Sequence, residues 1–82
     1  MKFETERQAD DALLTHIQNV MVPKCQGKLE RAAAKGVRGW WDGSLTAREE
    51  LENGLASAYA ESDWISVMNY AAMLHFREKH GA

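Results

Sequence analysis

Lys24, Lys28, Arg31 and Lys35 recur three or four residues apart, which puts four cations on one face of an α-helix. Such a stripe, with Arg38 beyond it, can track a phosphate backbone by neutralising successive charges. It equally forms the solvated side of an amphipathic helix, its long stems shielding apolar surface. No aromatic residue interleaves it and no helix-turn-helix spacing surrounds it, so nucleic acid is the weaker reading. His16 and His75 both fall on apolar faces, where a core histidine held by one hydrogen bond is expected rather than a ligand pair. Cys25 is the single cysteine; it allows no intramolecular disulfide, belongs to no zinc-type spacing, and reads as an inert buried thiol. Trp40 and Trp41 are adjacent and cannot enter one core pocket together. Trp40 is assigned to the core beside the third helix, and Trp41 to the surface as a candidate interface anchor. There is no Gly-rich phosphate loop and no Gly-x-Ser-x-Gly, and neither a cofactor nor a metal is expected.

The elements that would carry these residues are helical. Thr5-Glu6-Arg7-Gln8 has the form of a capping box and precedes Ala9, Leu13, Ile17 and Val20 at helical spacing, predicting a first helix over 6–21. Pro23 disfavours the α conformation at Val22 and suits a first helical turn, so a second helix is expected from Pro23 to Lys35, with Gly36 as its C-cap. Val22, Cys25, Leu29, Ala32 and Ala33 form its thin apolar side. VRGWWDGS, residues 37–44, reads as a loop. Thr46-Ala47-Arg48-Glu49 is a second capping box, opening a third helix with Ala47, Leu51, Leu55 and Ala58 as its core stripe. Beside that stripe run Glu50, Gly54, Ser57 and Glu61, whose small middle permits close helix approach. Asp63 is the expected N-cap of a fourth helix, 64–80. Its apolar residues, among them Trp64, Ile65, Met68, Ala72 and Phe76, cover more than half the wheel; Ser66, Asn69, Tyr70, Met73 and Arg77 line the remaining strip. A helix apolar over so wide an arc must pack against more than one neighbour, or make a subunit contact.

At 82 residues one domain, 1–82, is expected, with a thin stability margin of its own. The composition is ordinary and globular, 45% hydrophobic and 27% charged, and the net charge of −2 gives no general pull toward nucleic acid or anionic membranes. No secretory signal core or membrane-length apolar run occurs, so the expected location is cytoplasmic, with no membrane partner. Residues 1–41 hold seven Lys/Arg against five Asp/Glu and residues 42–82 three against seven, so the halves carry +2 and −4. Opposite-sign halves favour the second helix lying near the third, or pairing between subunits.

Arg38-Gly39-Trp40, the Leu51/Leu55 helix and the segment Asp63-Trp64-Ile65-Ser66-Val67-Met68-Asn69-Tyr70-Ala71-Ala72-Met73-Leu74 together resemble a module of small phage and prophage proteins of largely unassigned function. The likeness covers roughly residues 38–76 and extends distantly to the MazG-type all-α nucleotide pyrophosphatases. That family implies Mg²⁺ held by a Glu-x-x-Glu on one helix and carboxylates on the next, since the ion needs clustered hard oxygen ligands. Glu49-Glu50-Leu51-Glu52 contains the first element, but its glutamates project away from the core stripe, and Ser66 stands where the inner Asp is expected. A neutral serine does not replace a carboxylate in charge balance.

The sequence therefore predicts an all-α fold, a compact bundle of about four short helices with the C-terminal helix central. The leading function is that of a small phage-type accessory protein acting by protein contact, through self-association as a homodimer, a host partner, or both, and without catalysis. The candidate interface residues are Trp41, Tyr70, Met73 and Arg77; Lys24, Lys28, Arg31 and Lys35 are the basic-face candidates. A MazG-like pyrophosphatase or inactive relative is the first alternative, and a nucleic-acid binder using the second helix is the other.

Overall fold

The computed structural model describes residues 2–37 and 39–81, of which 75% are helical, with no strand. Arg38 lies outside the described residues. The helical segments are α1 (Glu6–His16), a π-helical turn (Ile17–Met21), α2 (Val22–Ala34), α3 (Arg48–Ala60) and α4 (Trp64–His80). The first three run on without a break, so the molecule has three helical rods where four separate helices were expected. Thr5 caps the long rod, accepting from the Gln8 backbone N–H at 3.1 Å, while the Gln8 side chain reaches back to the Glu4 N–H at 2.9 Å. Its far end closes as expected at Gly36, whose φ of +84° lets Gly36 and Val37 donate to the Ala33 and Ala32 carbonyls.

The expected break at Pro23 does not occur. Val22 keeps α geometry (φ −61°, ψ −48°), and its N–H donates to Ile17 five residues back. Proline in a helix removes one hydrogen bond and crowds the carbonyl four residues earlier. The wider π turn immediately upstream relieves that conflict, and the helix continues through Pro23. It also changes register. Ala9, Leu13, Ile17, Met21, Cys25 and Leu29 succeed one another at a strict spacing of four. On a regular α-helix each such step drifts by about 40°, so Leu13 and Cys25 would point about 120° apart. The π turn takes up one extra residue and rotates the downstream helix back by about 100°. The apolar stripes of α1 and α2 thus lie on one face.

Helix α4 packs against both α3 and α2. Asp63 caps α4, accepting from the Ser66 N–H at 3.2 Å. The expected Thr46 capping box of α3 does not form: the N-cap is Ala47, with no side-chain cap. Thr46 is instead spoken for on both backbone sides, its N–H donating to Asp42 O at 2.8 Å and its carbonyl accepting from Arg77 at 2.9 Å. The α3–α4 turn closes with Ser62 in the left-handed region (φ 58°), where Ser62 and Asp63 donate to the Tyr59 and Ala58 carbonyls.

The expected compactness is absent. The radius of gyration is 15.1 Å and the extents are 49 × 25 × 24 Å, against about 12 Å for a compact chain of this length. Helix α1 extends beyond the α3–α4 hairpin as an arm with no buried residue. The described hydrophobic core is Leu51 and Ala58, and the accessible surface is 6402 Å². A folded monomer of this mass exposes about 4,900 Å². None of the described helices is long and apolar enough to cross a membrane.

Candidate interaction groove

Helix α4 turns its mixed strip inward and divides its apolar arc, with Ile65, Val67, Met68 and Leu74 half-buried. Ser66, Asn69, Tyr70, Met73 and Arg77, the mixed strip, face α2, α3 and the loop, while Trp64, Ala71, Ala72, His75 and Phe76 are exposed. Ser66, Asn69 and Arg77 each have a hydrogen-bond partner that makes the inward position tolerable. Asn69 donates to Cys25 O at 3.3 Å. Ser66 Oγ donates to Asp63 Oδ2 at 2.7 Å and accepts from Lys28 Nζ at 2.6 Å. Tyr70 lies over Gly54, where a β-carbon would fall 2.5 Å from Tyr70 Cζ, so the small residue of α3 provides the close approach its spacing suggested.

Arg77 stands apart from the other candidate interface residues. It is buried, and its guanidinium donates to the carbonyls of Thr46 (2.9 Å) and Trp40 (3.4 Å). It fastens the loop between α2 and α3 onto α4. Asp42 organises that loop from within: its carboxylate accepts from both the N–H and the hydroxyl of Ser44, bonds that hold its pKa below the ordinary carboxylate value. Gly39 turns the chain at φ +87° against Leu45. Trp40 is half-buried, edge-on to Phe76 (5.4 Å) and to Trp41 (6.0 Å), and Trp41 stays 49% exposed.

The other three candidates come together. Trp41, Tyr70 and Met73 line one open groove of about 710 Å³ between α2, the loop and the start of α3. Leu29, Ala32 and Leu51 supply further apolar lining, and Lys28, Glu50 and Asn69 supply polar groups. Nothing in the sequence pattern pointed to Leu29 or Glu50 here, because the groove forms only when α4 presents its mixed strip inward.

The basic stripe does not survive as four free cations. Lys28 Nζ is held 2.6 Å from Asp63 Oδ2, and Ser66 completes the cluster. The Lys28 and Ser66 contacts bring the Asp63 pKa down to about 2. Lys24, Arg31 and Lys35 remain exposed on α2. The two histidines, expected in the core, are both exposed: His16 sits on the uncovered arm and His75 on the outward side of α4. Cys25, expected to be buried, is half-buried, its thiol 3.8 Å from Ile65 O.

On the carboxylates that the pyrophosphatase likeness implies, Glu49 and Glu52 are exposed on α3 and Glu52 pairs with Arg48 at 3.6 Å. Ser66 is committed to Asp63 and Lys28. No group of three or more His, Cys, Asp or Glu side chains placed to hold a metal ion occurs among the described residues. Comparison with family models, with curated proteins and with solved structures gives no match to this chain.

Proposed function

We propose that the protein works by protein contact, as a small helical accessory protein of the phage type its sequence resembles, and that the groove receives an apolar segment of a partner. The supporting observation is the convergence of Trp41, Tyr70 and Met73 on one open groove. Aromatic and methionine side chains are enriched at the centres of interfaces, and a surrounding ring of polar groups excludes water from them. Lys28, Glu50 and Asn69 supply such polar groups here. Methionine and an exposed indole adapt to an irregular apolar surface, which suits an inserted helix or extended segment.

Affinity capture from the host, read by mass spectrometry, tests the reading when wild type is run beside Trp41→Ala and Met73→Glu. A protein retained by wild type and lost from both variants supports the groove. Equal retention by all three chains would discard it.

A further inference from the structure

The apolar side of the arm is the largest feature that the groove leaves unexplained. Leu13 and Leu14 are 56% and 54% exposed, and no residue of α1 is buried. We infer that a second copy of this chain covers the arm, the two α1 helices lying antiparallel across a two-fold axis near Leu13.

Continuity of the packed surface points to that occupant. The π turn brings Leu13 and Ile17 onto the same face as Met21 and Cys25, and Cys25 already lies against α4 through Ile65 and Asn69. One face of the long rod is therefore covered by α4 along α2 and bare along α1. An antiparallel partner arm extends the cover in line with α4. With the axis near Leu13, the partner's Phe3 comes level with about residue 23 of this chain, because residues pair about equally on either side of the axis. Helix α4 begins at that level, since Asp63 and Ile65 meet Lys28 and Cys25. Phe3 itself is 42% exposed, and the hairpin tip carries Tyr59 and Trp64 edge-on at 5.5 Å, 64% and 50% exposed. The end of each arm thus meets an aromatic pair on the other copy.

The area agrees. The chain exposes 6402 Å², about 1,500 Å² more than a folded monomer of its mass. A standard interface takes about 800 Å² from each partner, and permanent dimers take more. A surplus of that size is enough for a two-fold contact, and an isologous contact uses every substitution twice.

Sedimentation equilibrium of the full chain should give twice 9.2 kDa at micromolar concentration. Leu13→Glu or Ile17→Glu should weaken the dimer at least about 100-fold, since each copy loses a buried apolar side chain. Amide protection of Leu51 and Ala58 should stay unchanged, because the arm adds nothing to the hairpin core. Met73→Glu in the groove and His75→Glu on the outward side of α4 should leave the dimer intact, so failure here and failure of the groove reading are told apart. In a Cys25→Ser background, spin labels at Thr15 should lie within about 25 Å of each other and labels at Gln26 about 40 Å apart. A mass that stays at 9.2 kDa to high micromolar, a dimer indifferent to Leu13→Glu, or equal separations for the two labels would each overturn the proposal.

Discussion

A β-carbon at Gly54 would lie 2.5 Å from Tyr70 Cζ and 2.9 Å from its hydroxyl, well inside contact distance. Two effects compete when alanine is placed there. Helix propensity favours alanine over glycine by about 1 kcal/mol. Driving the phenol off α3 costs about 1–3 kcal/mol by overpacking. The second wins on balance, and Gly54→Ala should lower stability by up to about 2 kcal/mol in chemical denaturation. With Tyr70→Ala already in place the clash is gone, and the same substitution should instead stabilise by about 1 kcal/mol. A Gly54→Ala effect of the same sign in both backgrounds would mean that the tyrosine does not rest on α3. The smallness of the Gly54 stripe was legible in the sequence, because residue volume is a local property. The identity of its occupant was not, since Tyr70 reaches it only through the orientation of α4.

That orientation marks how far pattern reading carries at the scale of elements. Helix ends were legible where a local residue closes them: Thr5 and Asp63 cap through their side chains, and Gly36 through its positive φ. The start of α3 was not, because Arg77, distant in sequence, and the nearby Asp42 carbonyl occupy the backbone of Thr46. The inward strip of α4 escapes the pattern because polarity suggests solvent, whereas Ser66, Asn69 and Arg77 each find a partner on a neighbouring segment. The fused first rod escapes it as well, because Pro23 is a strong stop signal when its neighbours hold α geometry, and the π turn changes that condition. The Lys28–Asp63–Ser66 cluster is the charged tie between α2 and the α3–α4 hairpin among the described residues, and it sets a pH dependence. Asp63 titrates at about 2 in the folded chain against 3.8 unperturbed, so its folded pKa is depressed. The stability it contributes is complete above about pH 4 and is lost as pH falls toward 2. Asp63→Asn and Lys28→Met should each flatten the fall in thermal midpoint across that window. A wild-type slope preserved in both variants would assign the acid sensitivity elsewhere.

At the scale of the molecule, a sparse core and a projecting arm belong to one problem. An isolated helix shorter than about 12–15 residues is marginal in water, because nucleation is unfavourable and little packing offsets it. Helix α1 has 11 residues, and it gains length only by running into α2 through the π turn. In the proposed dimer the second copy supplies the packing that its own chain does not, and helix formation in the arm becomes linked to association. Dilution supplies the test. At high concentration the amides of Leu13 and Ile17 should exchange slowly. Below the dissociation constant they should exchange as rapidly as a frayed terminus, with a matching loss of far-ultraviolet helical signal. Leu51 and Ala58, the buried residues of α3, should remain protected at both concentrations, since the hairpin keeps its own contacts. Leu13→Glu should make arm exchange fast at every concentration while leaving α3 untouched. Arm protection that does not vary with concentration would show that α1 holds its helix without a second copy, and the surplus surface would then need another occupant.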